Sequence, residues 1–234
     1  STAMYETLEI ERAGKIATIW MNRPAVLNAF DEQLIAELAA TCAELDADAS
    51  VRVVVLAGRG KHFSAGADLN WMKRASQFTH EQNVEDARKF ANMLRTLSEM
   101  SKPTIARVQG AALGGGTGLT AACDMAIASS DAVFSTSEVK FGIIPSAISP
   151  YVLRAIGPRH ALRYFQSAER ISAERALTIG LVGEVVPLAE LDASIGKLVD
   201  ALLQGGPQAQ KAAKDLIVTV NGKTIDKNIS EETA

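Results

Sequence analysis

The run Val51 to Ala57 (VRVVVLA) constrains this chain more than any other stretch. It is almost continuously apolar and β-branched, without the polar alternation of a sheet that has one wet face. Such a run marks a strand buried on both faces, the pattern of a parallel sheet with helices on each side. A glycine-broken loop, Gly58 to Gly66, follows it. A long helix is then expected over Thr79 to Met100, with Phe90, Met93, Leu94 and Leu97 on one face. Thr104 to Val108 reads as a second buried strand. Gly110 to Gly118 reads as a glycine-rich turn opening a short apolar helix that ends near Cys123.

The remaining elements fit the same scheme. Tyr5 to Glu11 alternates, Gly14-Lys15 interrupts, and Ile16 to Met21 runs apolar, which predicts a β-hairpin. Asp31 is a candidate N-cap for a helix carrying Leu34, Ile35, Leu38, Cys42 and Leu45 at helical spacing. Met125 to Ala128 and Val133-Phe134 read as further strands. Arg159 to Ser167, Ala173 to Ile179, Leu188 to Leu203 and Gln208 to Val220 read as helices, with Pro187 and Pro207 near helix starts. Asn221 to Ala234 is polar and shows no helical period. Alternating strands and helices define an α/β fold with a largely parallel sheet and a helical C-terminal part. The boundary is expected near residue 190, giving a core over 4–190 and a C-terminal part over 191–234. Ser1-Thr2-Ala3 before Met4 reads as an expression remnant.

Composition excludes several classes. A length of 234 residues suits one domain with an appendage. The formal net charge of -3 offers no basic footprint for nucleic acid or an anionic membrane. Apolar runs fall short of the roughly 18 residues of a membrane helix. Two cysteines, Cys42 and Cys123, make neither a disulfide scaffold nor a cysteine-rich zinc site, and they fit a reducing cytoplasm. No basic segment followed by an apolar one opens the sequence as a secretory signal would. GxGxxG, GxxxxGK[ST], GxSxG and HExxH are all absent, and His62, His80 and His160 are far apart. Catalysis is therefore expected from carboxylates or backbone groups, without a metal.

Two loops are candidates for that role. His62 to Leu69 (HFSAGADL) follows the buried strand, at the end where open α/β sheets bind ligands. Gly110 to Gly118 (GAALGGGTG) follows another strand and opens a helix, whose N-terminus has free N–H groups and partial positive charge. Two such loops aimed at one point would form an oxyanion hole from backbone alone. Glycine content alone fits equally well two tight turns that only pack helix on strand.

HFSAGADL, QGAALGGGTGL, ACDMAIA and FSTSEVKFGIIP, in this order and spacing, resemble the crotonase (enoyl-CoA hydratase/isomerase) superfamily over roughly residues 5 to 220. The resemblance implies a ClpP/crotonase-like spiral of ββα units, acyl-CoA thioester substrates, and a homotrimer or dimer of trimers. It makes the N–H groups of Ala67 and Gly115 the oxyanion donors. Val26, Leu27, Ala65, Ala67, Asp68, Leu69 and Gly115 would line the substrate and CoA site, although Asp68 also reads as a helix N-cap. It requires no cofactor, since coenzyme A enters with the substrate.

Glu138 falls on one of the two glutamate positions of hydratases in this family; the other position is Gly118 here. Three readings follow. Glu138 alone manages the water and returns the proton, as a one-glutamate hydratase. Or it shuttles a proton between Cα and Cγ, as in double-bond isomerases. Or another polar group enters the site, with Ser146, Ser149 and Tyr151 as candidates. IIPSAISPYV resembles a bacterial branch that hydrates branched, carboxylated enoyl-CoAs of the methylglutaconyl-CoA and γ-carboxygeranoyl-CoA types, in leucine or isoprenoid breakdown. Lys140 and Arg154 are candidate cations for a second substrate carboxylate. Trp71-Met72 is expected over the acyl channel or in the core. The hydratase reading is preferred. A Δ-isomerase comes second, and a non-catalytic member binding CoA or a partner is the rival.

Overall fold

The computed structural model describes residues 4–67 and 69–234, and their side chains except those of Leu69 and Met72. Strands β1 (Leu8–Ala13) and β2 (Ile16–Met21) form the expected antiparallel hairpin around Gly14. Helix α1 (Glu32–Ala47) starts at Asp31, whose carboxylate accepts the Leu34 N–H at 2.8 Å. The chain then alternates between two sheets. Strands β3 (Val53–Gly58), β5 (Thr104–Val108), β7 (Met125–Ser129) and β10 (Glu184–Val186) extend the hairpin into a six-stranded sheet ordered β1-β2-β3-β5-β7-β10. All its pairings beyond the hairpin are parallel. Shorter strands β4 (Ser64–Ala65), β6 (Ala111–Leu113), β8 (Val133–Ser135) and β9 (Ile171–Ser172) form a second sheet ordered β4-β6-β8-β9.

Each turn of the chain therefore lays one strand in the large sheet, one in the small sheet, and then a helix. β3–β4 leads to α2 (Leu69–Ala75) and α3 (His80–Ser98). β5–β6 leads to α4 (Gly115–Ala122), and β7–β8 leads to α5 (Ser149–Ser167). This is the ββα spiral that the resemblance implies. Thr79 caps α3 with a reciprocal bond to Gln82. Helices α6 (Ala173–Ile179), α7 (Leu191–Leu203), α8 (Pro207–Val220) and α9 (Lys227–Thr233) complete the chain.

Strand β3 is buried on both faces, as its composition requires. Val54 and Leu56 join the main core with Leu34, Leu38, Met93, Leu97 and Phe134. Val53 and Val55 join Ile105 and Ile127 under α7, which presents Leu191, Ile195 and Val199.

Three sequence expectations are corrected. Helix α5 holds two helical segments that meet at Gly157, whose φ of 76° and ψ of 167° are not helical; the second carries the expected Arg159 to Ser167, and the first, from Ser149, adds a helical segment where a loop was expected. Asn221 to Ala234, read as non-helical, contains α9, started by Asp226, which accepts the Ile229 N–H at 2.9 Å. The two glycine loops contain strands β4 and β6, too short to show a period of two.

Candidate active site

The small sheet puts three residues in one row. Ala65 pairs with Leu113, and Leu113 pairs with Ser135, across three parallel strands. The candidate groups leave the carboxyl ends of these strands just beyond the row. Ala67 and Gly115 each lie two residues past it, and Glu138 lies three past it. Sequence-distant residues thus meet at the end of a parallel sheet, where such sheets bind ligands.

Each group is held by local bonds. Gly66 donates its N–H to the Leu113 carbonyl at 3.2 Å, and Phe30 donates to the Gly66 carbonyl at 3.1 Å. Ala67 forms a parallel bridge with Phe30. In that pairing Phe30 bonds through Gly66 rather than through Ala67 itself, so the Ala67 N–H points away from Phe30. Gly114 donates to the Ser135 carbonyl at 2.8 Å and precedes α4 with φ 57° and ψ -113°, a conformation that glycine permits. Having no side chain, Gly114 caps nothing, so the first N–H groups of α4, Gly115 included, are left to a ligand or water. At Gly115 a Cβ would lie 2.5 Å from the Phe30 ring, itself edge-on to Phe90 with centroids 5.2 Å apart. The helix end therefore sits directly on Phe30.

Glu138 lies in a 3₁₀ turn, Ser137–Phe141, just after β8. Its Oε1 is 3.4 Å from where a Gly114 Cβ would be, so the carboxylate lies over the head of α4. Its Oε2 is buried and has no hydrogen-bond partner among the described residues. Burial raises the carboxyl above the ordinary carboxylate value. A half-buried carboxylate with one oxygen unsatisfied, next to free helix N–H groups, can take and return a proton.

The second glutamate position holds a hydrocarbon instead. A Cβ on Gly118 would lie 2.9 Å from Ile148 Cβ and closer still to its Cγ2. Ile148 is 2% exposed. The polar candidates nearby serve other purposes. Ser149 donates its hydroxyl to the Ser146 carbonyl at 2.7 Å. Tyr151 stacks on Arg154, and Arg154 donates to Ser98 Oγ and the Ala121 carbonyl. Tyr151 and Arg154 line a groove of about 1560 Å³ with Asp124, Lys214, Val182 and Ile217, and neither Glu138, Ala67 nor Gly115 borders it. This groove is thus separate from the candidate groups. Lys140 is exposed on the Glu138 turn.

Val26 and Leu27 are brought to the first loop, as expected. The Leu27 carbonyl accepts the Ala65 N–H at 3.0 Å, and both side chains are exposed. Leu69 opens α2, while Asp68 lies outside the described residues. Trp71 packs partly buried against the core. Sequence reasoning missed two supports. Buried Asn28 accepts the Arg23 N–H and donates to the Arg59 and His62 carbonyls, tying the Val26 loop to the first glycine loop. The buried Thr117 hydroxyl donates to the Ala112 carbonyl at 2.7 Å and accepts the Ser135 N–H at 3.2 Å, fixing α4 to β6 and β8. Cys42 and Cys123 are buried and their thiols are pushed up, Cys42 to about 12, so neither supplies a thiolate. Among the described residues no His/Cys/Asp/Glu group could hold a metal ion, and no helix is long and apolar enough to cross a membrane.

The spiral ββα fold thus places a half-buried carboxylate over an uncapped helix end at the carboxyl edge of the small sheet. The chain belongs to the enoyl-CoA hydratase/isomerase family, whose sequence model matches residues 11–232. It is 37% identical over 214 residues to a short-chain-enoyl-CoA hydratase of Clostridium acetobutylicum, covering 89% of this chain and 79% of that one. A solved enoyl-CoA hydratase/isomerase (crotonase) from Legionella pneumophila superposes with a TM-score of 0.93 at 46% identity, over 97% of this chain and 88% of that one. An enoyl-CoA hydratase structure from Shewanella pealeana gives 0.94 at 39% identity, over 97% and 85%.

Proposed function

We propose that this chain is an enoyl-CoA hydratase, a hydro-lyase that uses Glu138 as its single acid–base group. The observation that carries the reading is the unpartnered Glu138 Oε2 beside the uncapped head of α4. The thioester carbonyl oxygen accepts hydrogen bonds from Ala67 and Gly115. Glu138 takes a proton from water as the water oxygen bonds to Cβ, and electrons move through Cα to the carbonyl as an enolate. Each backbone donor is worth about 10²–10³ in rate where charge develops. Glu138 then returns its proton to Cα, and the enolate collapses to the 3-hydroxyacyl thioester. The CoA moiety runs past Val26, Leu27, Ala65, Asp68 and Leu69, and no cofactor takes part.

Ile148 favours this one-carboxylate scheme over one in which a second polar group replaces the missing glutamate. Its hydrocarbon wall also suits a branched enoyl chain, such as that of methylglutaconyl-CoA. Of the two candidate cations for a second substrate carboxylate, Arg154 is committed elsewhere, which leaves Lys140, exposed on the Glu138 turn. The exposed apolar side chains Phe141, Ile143 and Ile144 support assembly as a trimer or dimer of trimers. Turnover of crotonyl-CoA, 3-methylglutaconyl-CoA and a 3-enoyl-CoA, compared side by side, tests the function. Fastest turnover of a 2-enoyl thioester supports it. Exclusive turnover of the 3-enoyl thioester, with a shifted double bond, would establish the isomerase instead. Acyl-CoA binding without turnover of any of them would establish the non-catalytic member.

A further inference from the structure

We infer that His62 is a positioning residue that sets the register of the two glycine loops, through an imidazole that replaces a missing rung of the small sheet. The inference rests on the reading of Ala67 and Gly115 as the oxyanion donors.

Strands β4 and β6 pair in parallel, Ser64 with Ala112 and Ala65 with Leu113. Continuing that ladder back by one rung would direct the Ala111 N–H to the His62 carbonyl. That carbonyl accepts Asn28 Nδ2 at 2.9 Å and takes no bond from Ala111. The Ala111 N–H instead donates to His62 Nδ1, at 2.9 Å. The next residue, Phe63, donates its N–H to the Gln109 carbonyl at 2.9 Å. Gln109 Nε2 donates to the Gly58 and Gly60 carbonyls at 2.8 and 3.2 Å. The imidazole lies against Gly110, where a Cβ would be 2.8 Å from Nδ1. The crossover of β3 into β4 is thus pinned to that of β5 into β6. Ala67 lies five residues after His62, and Gly115 lies four after Ala111.

Only an imidazole with a bare Nδ1 can accept this bond, so the ring holds its proton on Nε2. A slip between the two strands would move one donor relative to the other. Misplacement by about 1 Å is enough for a roughly 10²-fold loss in rate.

The test uses three variants. In His62→Asn, Oδ1 stands as many bonds from Cα as Nδ1 does, so it restores the acceptor. In His62→Gln the acceptor stands one bond too far, and His62→Leu has none. Two readouts separate positioning from general stability: the split between kcat and KM on crotonyl-CoA, and the carbonyl stretch of a bound ¹³C-labelled acyl-CoA. Wild type and His62→Asn should shift the stretch to lower frequency. His62→Gln and His62→Leu should lose most of that shift, with kcat down roughly tenfold to a hundredfold and KM little changed. If His62→Leu fails to fold, the Asn and Gln pair decides. The inference is overturned if Gln or Leu keeps the wild-type kcat and shift, or if Asn is as impaired as Gln. Absence of any shift in the wild type would overturn the oxyanion reading itself, and this inference with it.

Discussion

The contact between Gly118 and Ile148 yields a prediction whose sign reverses with background. Gly118 lies inside α4, so replacing it with alanine should stabilise the helix by about 1 kcal/mol on propensity alone. In this fold, however, the new Cβ would fall 2.9 Å from Ile148 Cβ and closer to Cγ2. Both residues are buried, and Ile148 sits in the main core, so neither can swing aside freely. Overpacking of this kind costs about 1–3 kcal/mol, and the short separation puts it near the top of that range. Gly118→Ala should therefore lose about 2 kcal/mol net, which lowers Tm by roughly 4–8 °C for a chain of this size. Ile148→Gly alone should lose at least the roughly 2–5 kcal/mol of a large-to-small core truncation through its cavity. In that background both Cγ2 and Cβ are gone and the nearest remaining atom, the Cα of residue 148, lies 3.9 Å away, so Gly118→Ala should stabilise by up to about 1 kcal/mol. Thermal and urea unfolding of the four proteins give the coupling directly, and about 3 kcal/mol is expected. An effect of Gly118→Ala with the same sign in both backgrounds would refute the claim that Ile148 fills the slot.

Other expectations follow from the same geometry. Glu138→Gln should lower kcat on crotonyl-CoA by about 10²–10⁴, as read in a spectrophotometric hydration assay. The same variant should gain stability relative to wild type as pH rises. Burial holds the Glu138 carboxyl above its unfolded value, so the folded state binds that proton more tightly. The stability that this proton contributes is fully present below the unfolded value and is lost as pH rises through the folded one. Parallel melting curves from about pH 4 to pH 7 should show the Gln variant's relative advantage growing toward neutrality; a constant difference would count against the buried carboxylate. Gly115→Ala should drive a methyl into Phe30 and displace a donor, cutting kcat at least roughly tenfold; an unchanged kcat would remove Gly115 from the site.

The sequence was most legible where side-chain burial dictates the element. Strand β3 has apolar residues facing both ways, and it packs under α1 on one side and α7 on the other. Asp31 reads as a cap because a short acceptor before an apolar helical stripe has few other uses. Strands β4 and β6 were illegible because they span two and three residues, held by ladder rungs rather than by a pattern of burial. The Ile148 contact was hidden because it depends on a helical segment from Ser149 that ends at the break at Gly157, where the sequence offered only a loop. The family resemblance of the four motifs led to Ala67, Gly115 and Glu138, but not to the shared register row from which they extend. Asn28 and Thr117 gave no signal, since a buried polar residue whose bonds all go to backbone looks like any loop asparagine or helix threonine.

The most direct test of the account is hydration of crotonyl-CoA by the wild-type protein in H₂¹⁸O, with mass spectrometry of the products. One-carboxylate hydration predicts a 3-hydroxyacyl-CoA with one ¹⁸O at Cβ, formed rapidly by wild type and slowly by Glu138→Gln. A label-free product with a shifted double bond, or equal ¹⁸O incorporation by the Glu138→Gln variant, would contradict it.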